Sequence, residues 1–304
     1  MNDRILDISE RPARLSVRNG LLAIDFGAGE EHTLPLVDVA VLIASHPQIS
    51  YTQAVLAGLA EAGAMFIACN GKQMPAAMLL PLETHSTQTE RFMRQAELSL
   101  PARKQLWRQI VQAKLRAQAD LLRERAGHSH GLENLALKVR SGDPQNLEAQ
   151  GARIYWKALF GEDDFRRNPE GEGLNPCLNY GYAVLRAITA RALCGAGLHP
   201  SVGIHHHNRY DAFCLADDLM EPFRPLVDRV AARLRGERGS NPPLDQESKR
   251  KILEELLGRF TAEGECRTLF DWVSRSASSL RAAIEGQGTK LFFPRIQGSD
   301  HATP

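Results

Sequence analysis

The sequence predicts an α+β protein: a small β-rich N-terminal domain followed by a larger all-α domain that carries the candidate catalytic groups. Three observations predict it. At 304 residues the chain exceeds the usual size of a single core, so two domains are expected. As far as Thr84, apolar residues alternate with polar ones or form short β-branched runs between turn signals. From Thr87 onward they recur at steps of three and four, the helical period. The expected boundaries are 1–84 for the β-rich domain, 85–296 for the helical domain, and 297–304 for a disordered tail.

In the first domain, Leu15 and Val17 alternate with polar neighbours, Asn19-Gly20 follows, and Leu22, Ile24 and Phe26 resume the alternation. Asn-Gly between two such segments is a strong hairpin signal, because both residues accept positive φ. Leu34 to Ile43 reads as one buried strand. Thr52 to Ala62 carries Val55, Leu56 and Leu59 at helical spacing, and Gly63 stops it. Ala64 to Cys69 is a short strand, and after Asn70-Gly71 the stretch Met74 to Leu82 is placed to pair back. His32, His46 and His85 are isolated and read as ordinary residues. This domain therefore reads as a sheet for dimer formation or partner docking.

In the second domain, Glu90 to Arg125 splits at Pro101 into two amphipathic helices. Leu132 to Val139 is a shorter helix. Asn146 is placed to cap the next one, on which Glu148, Ala152, Tyr155 and Leu159 share a face. A carboxylate on that face calls for a neighbouring cation; otherwise Glu148 is a first-turn glutamate favoured by the helix dipole. Phe160 to Gly173 is a polar loop holding Arg166 and Arg167. Asn175 to Leu193, Leu215 to Leu234, Gln246 to Phe260 and Thr268 to Ile284 are the remaining helices.

Hydrophobic and charged contents of 43% and 24% are those of an ordinary globular protein. A net charge of +1 neither demands nor excludes nucleic acid. Five scattered cysteines without a C-x-x-C pair read as reduced thiols in a cytoplasmic protein. Met1 to Arg14 contains acids and no apolar stretch, so no signal peptide is expected, and no run of ~18 apolar residues predicts a membrane span.

The chemistry concentrates between Gly203 and Pro225. His205-His206-His207 is followed by Arg209, and then by Asp217, Asp218 and Glu221 at the start of an apolar run. In an extended segment His206 opposes His205 and His207, so either His206 or the other two can face one ion. Asp218 and Glu221 share a helical face, and Asp217 points elsewhere. Carboxylates plus one imidazole suit Mn²⁺ and tolerate Mg²⁺, and the set leaves zinc open as well. Guanidinium groups suit phosphate, so Arg166, Arg167, Arg209 and Arg224 are candidate phosphate contacts, and with the metal set they suggest phosphodiester chemistry. The competing reading is a solvated histidine loop beside acids held by a helix dipole.

Three motifs carry a resemblance. Gly203-Ile204-His205-His206 followed by Asp218-Leu219-Met220-Glu221-Pro222-Phe223-Arg224-Pro225 is one. Glu148 to Trp156 and Leu178-Asn179-Tyr180-Gly181-Tyr182-Ala183-Val184-Leu185 are the others. Together they resemble the metal-dependent DNA endonuclease/integrase family of CRISPR adaptation, the larger subunit of the spacer-acquisition complex; the compact length and the Phe160-Gly161 to Arg167 loop look most like members from type II systems. The resemblance covers nearly the whole chain. It implies Glu148, His206 and Glu221 as ligands of Mg²⁺ or Mn²⁺, with His205 as the alternative imidazole and Asp218 as a supporting acid; Pro222 replaces a usual glutamate that is not a ligand. It implies that a 3′-hydroxyl of a short incoming duplex attacks the CRISPR repeat phosphodiester, and it extends the role of Arg166, Arg167, Arg209 and Arg224 to candidate DNA contacts. Homodimers bridged by a smaller ferredoxin-like subunit into a heterohexamer are the implied assembly, with the C-terminal tail as a docking segment. A metal-dependent nuclease on branched DNA in repair and a non-catalytic DNA-binding subunit are the competing functions.

Overall fold

The computed structural model describes residues 4–71, 75–79, 87–161 and 165–300. The chain divides into two compact units, Met1–Ser86 and Thr87–Pro304.

The first unit contains two four-stranded sheets and a helix. One sheet has the order β1 (Arg4–Ile8), β5 (Val39–Ala44), β7 (Met65–Cys69), β8 (Pro75–Leu79); the first three strands are parallel, and β8 returns antiparallel to β7. The other has the order β4 (Glu31–Pro35), β3 (Leu21–Asp25), β2 (Arg14–Arg18), β6 (Ser50–Tyr51). The expected hairpin is β2–β3, with Asn19 and Gly20 both at positive φ (50° and 76°). Helix α1 (Gln53–Glu61) packs Val55 and Leu59 into a core with Leu15, Leu22, Leu42 and Phe66. The single strand expected over Leu34 to Ile43 is instead broken by a 3₁₀ turn at Leu36–Asp38. Pro35 has no amide to continue a ladder, and β4 and β5 belong to different sheets. Met74 and residues 80–82 of the expected return strand, and His85, lie outside the described residues.

The second unit is mostly helical. Its longest helix is α3 (Leu100–Ala126), which follows α2 (Gln88–Ala96). Ser99 caps α3, Pro101 sits in its first turn where no amide bond is lost, and left-handed Gly127 ends it. Leu106, Trp107, Ile110, Val111 and Leu115 are its buried stripe. Helices α4 (Leu132–Lys138) and α5 (Leu147–Phe160) pack on it. The α3–α5 approach is close at Gly151, where a Cβ would meet Leu115 Cδ2 at 2.2 Å. Helix α6 (Asn175–Gly195) is buried along most of its length, and Gly181 admits Val227 of α8 (Arg224–Arg238) in the same way.

The single helix expected over Leu215 to Leu234 is interrupted. Helix α7 (Cys214–Met220) passes through a 3₁₀ turn, Glu221–Phe223, before α8 starts. Pro222 and Pro225 supply no amide to a continuous helix there. The unit is also not wholly helical. Between α9 (Gln246–Leu257) and α10 (Leu269–Ile284), strands β9 (Arg259–Ala262) and β10 (Glu265–Thr268) form a hairpin through Glu263 and Gly264, both at positive φ. Strand β11 (Gln297–Asp300) pairs antiparallel with β9, so the first part of the tail expected to be disordered is ordered by this ladder. Residues 301–304 lie outside the described residues. Among the described residues, no helix is long and apolar enough to cross a membrane.

Candidate active site

Each of the three motif residues is placed by a local device. Asp143 accepts hydrogen bonds from the amides of Leu147 and Glu148, both at 2.9 Å, and Asn146 accepts one from Ala149 at 3.3 Å. These contacts satisfy the free amides of the first turn of α5 and fix where Glu148 projects. Glu221 is positioned by the proline-driven 3₁₀ turn and lies buried.

The histidine loop is organised by Asp218. This fully buried carboxylate accepts the amides of Ile204 (2.6 Å), His205 (2.9 Å) and His206 (3.3 Å). It also accepts the Nδ1–H of His206 at 2.6 Å. That bond leaves Nε2 of His206 as the outward nitrogen, as in metal-ligating histidines oriented by a carboxylate. Gly203 makes the tight loop possible, since a Cβ there would lie 2.2 Å from the carbonyl oxygen of His206. The His205 ring stacks on Trp107 of α3 with centroids 4.1 Å apart and planes 3° from parallel, and Glu148 acts on it electrostatically. His207 is exposed. The hydrogen bond that His206 donates to Asp218 raises the His206 pKa above its ordinary value, whereas burial lowers that of His205.

Glu148 and Glu221 meet on Lys114 of α3. Its ammonium lies 2.7 Å from Glu148 Oε1 and 2.7 Å from Glu221 Oε2. The first contact is a hydrogen bond; the second is an ion pair outside hydrogen-bonding alignment. Arg224 donates to the other Glu221 oxygen at 2.9 Å. Burial by itself would raise the Glu221 carboxyl, but Arg224 and Lys114 outweigh it and hold it at about 2. Burial would likewise lower Lys114, and Glu221 and Glu148 reverse that. Behind Lys114, the buried Asp228 accepts hydrogen bonds from Tyr155 (2.7 Å) and Tyr182. Burial pushes Asp228 up to about 6 against those bonds.

Among the described residues, no three His, Cys, Asp or Glu side chains converge, as they stand, on a point that could hold a metal. Two carboxylates nonetheless already share one cation, Lys114, and an imidazole pinned through Nδ1 electrostatically influences Glu221. The donor chemistry therefore fits a hard divalent ion, and what differs is that an ammonium stands between the two carboxylates.

Comparison with known proteins decides the family. The family model described as CRISPR associated protein Cas1 matches residues 6–255. The chain belongs to the Cas1 family. It is 36% identical over 271 residues to a CRISPR-associated endonuclease Cas1 of Neisseria meningitidis serogroup C, covering 88% of both chains. It is 30% identical over 287 residues to a second such protein, from Pyrobaculum aerophilum, covering 90% of this chain and 96% of that one. Its fold is that of a casposase bound to its integration product (TM-score 0.78, 21% identity, 96% and 92% of the two chains). It is also that of a Cas1 protein from Thermotoga maritima (TM-score 0.74, 16% identity, 93% and 97%).

In this Cas1 chain the four candidate arginines divide. Arg166 and Arg209 are exposed, Arg209 lying 4.6 Å over the Tyr210 ring. Arg167 and Arg224 are engaged inside the fold. Arg167 donates to Asn175 (3.0 Å) and Asn179 (2.7 Å), Arg224 holds Glu221, and both guanidinium groups face the Tyr182 ring. Asp217 pairs with Arg186 at 2.6 Å. Sequence reasoning missed Lys114 and Trp107. Both lie on the buried stripe of α3, where the periodicity calls for apolar residues, and a lysine in that register is the signal that could have found the first.

The Asp218–His206 bond gives a testable pH dependence. In metal-free protein the His206 ring should titrate above 6.5 by NMR. A raised folded value means that this bond's contribution is fully present below the unfolded pKa and is lost as pH rises through the folded one. The urea-midpoint gap between wild type and Asp218→Asn should therefore narrow as pH climbs through the folded value. A ring titrating at or below the ordinary histidine value would contradict the arrangement.

Proposed function

We propose that this protein is a metal-dependent DNA endonuclease/integrase that inserts short duplexes into a CRISPR array by 3′-hydroxyl attack on a repeat phosphodiester. Membership of the Cas1 family, whose Neisseria meningitidis relative is a named CRISPR-associated endonuclease, supports nuclease-class chemistry. The fold shared with a casposase bound to its integration product supports integration. The observation that carries the reading is the meeting of Glu148 and Glu221 on one cation, beside a carboxylate-oriented His206.

Glu148, His206 and Glu221 would hold Mg²⁺ or Mn²⁺. Bound there, the ion supplies Lewis-acid stabilisation of charge building on the phosphate. The chain's own residues do the rest. Asp218 fixes the tautomer and direction of His206, and Arg224 keeps Glu221 ionised and aimed. Trp107 fixes the neighbouring imidazole of His205 by stacking on it. One P–O bond forms to the incoming 3′-oxygen while another breaks, so the reaction needs no protein nucleophile. The buried cysteines agree with this, since burial raises the Cys177 and Cys194 thiols to about 11.

A path for DNA is offered by a groove of about 950 Å³ along α3 and the segment 290–296. Arg108, Arg116 and Lys290 line it, and none has a carboxylate partner among the described residues. Asp120 and Glu124 on the same wall are already paired, with Arg295 and Arg229. Pro222, next to Glu221, also lines the groove and connects it to the site.

The proposed partners follow the same reading: an incoming duplex and the CRISPR repeat, a second copy docked through the β-rich unit, and a smaller ferredoxin-like subunit completing a heterohexamer. Solved complexes of the same fold contain Cas2 beside Cas1, which supports the last of these. The type II-like assignment rests on the compact length of the chain and on the stretch from Phe160-Gly161 to Arg167.

With a supercoiled plasmid bearing the repeat, a 3′-hydroxyl duplex and Mn²⁺, wild type should give joined products and Glu221→Ala should lose them by at least a hundredfold. Nicks or cuts without joining would favour hydrolysis of branched DNA over integration, and retained joining would remove Glu221 from the site. The groove has its own test. Replacing both Arg116 and Lys290 by Ala should flatten the dependence of log affinity on log salt by about two. An unchanged slope would take the groove off the DNA path.

A further inference from the structure

Lys114 is engaged on one side and has an open acceptor on the other. It sits between Glu148 and Glu221, with its side chain only 12% exposed. Gln118 lies four residues later on α3, on the same helical face. Gln118 is buried, and its Oε1 has no hydrogen-bond partner among the described residues. Lys114 and Gln118 both line a cavity of about 150 Å³, together with Asp228, Tyr182 and Arg224. That is space for several water-sized groups. A buried amide oxygen left unpaired is unfavourable, and such groups in folded proteins are rare.

We propose that Lys114 is a displaceable resident counter-ion: it holds Glu148 and Glu221 together in the metal-free protein and swings along α3 to Gln118 Oε1 when a divalent cation enters. The inference rests on the proposed metal role of Glu148 and Glu221. An ammonium and a divalent ion cannot both occupy the gap between two carboxylates, because the cations repel at that distance. The ion must therefore displace the lysine, and the lysine needs a polar berth to move to. Its flexible four-carbon stem and three donors suit it to exchange partners, which a bidentate guanidinium resists. The cavity supplies the room, Gln118 Oε1 the acceptor, and Asp228 a second carboxyl on the same wall. Lys114 then acts as a competitor that sets how readily the metal loads.

Titration calorimetry of the DNA-free, full-length chain with Mn²⁺ alone tests this. Lys114→Met removes the competitor and should bind Mn²⁺ at least tenfold tighter than wild type. Lys114→Arg should bind at least tenfold more weakly, because the fork grips both carboxylates. Gln118→Leu, which keeps the lysine and removes its berth, should bind several-fold more weakly. A lysine with a purely structural role would give the opposite sign in Lys114→Met, and equal or weaker affinity in that variant overturns the proposal. Should Lys114→Met fail to fold, unchanged affinity in Gln118→Leu overturns it. If wild type and Lys114→Met both bind no Mn²⁺, the metal reading itself is wrong and this inference goes with it. If Glu221→Ala abolishes binding while the Lys114 and Gln118 variants match wild type, only this inference fails.

Discussion

Two carboxylates drawn together inside a protein need a positive charge between them. Glu148 and Glu221 come from distant parts of the chain, and leaving both ionised and uncompensated beside each other would be prohibitive. Here the charge is Lys114, reached from both sides at 2.7 Å. The second unit is arranged to bring about that meeting. Helix α3 carries the ammonium on its buried stripe, α5 approaches it closely because Gly151 has no side chain, and the turn between α7 and α8 presents Glu221.

The imidazole is placed by a separate mechanism. Asp218 gathers three consecutive amides and one ring nitrogen, so the loop from Gly203 to His206 is built around a single carboxylate. Glycine is required at 203 because the carbonyl of His206 fills the space a side chain would take. The triplet of histidines is thereby resolved: one ring stacks on Trp107, one is oriented by Asp218, and one faces solvent. Each half of the site is thus assembled by its own local contacts.

Much of this could be read from the sequence where the cause is local. Asn19-Gly20 specifies its hairpin through positive φ, and Asn146 announces the start of α5. The expectation that an inward Glu148 needs a cation is met by Lys114. What could not be read depends on distant partners or on proline placement. Lys114 precedes Glu148 by 34 residues, and nothing nearby marks it except its register among apolar neighbours. Pro35 and Pro222 break stretches whose hydrophobic period runs on unbroken, because periodicity records burial and not amide supply. The β9–β10 hairpin turns on Glu263-Gly264, a weaker signal than Asn-Gly, and β11 is ordered only by pairing with it.

The central claim is that Glu148, His206 and Glu221 hold one divalent ion. Anomalous diffraction from Mn²⁺-soaked crystals tests it directly. A single manganese peak about 2.0–2.3 Å from a carboxylate oxygen of Glu148, Nε2 of His206 and a carboxylate oxygen of Glu221 is the predicted result. A peak held by other residues, or none at saturating Mn²⁺ with Lys114 still between the two glutamates, would contradict it.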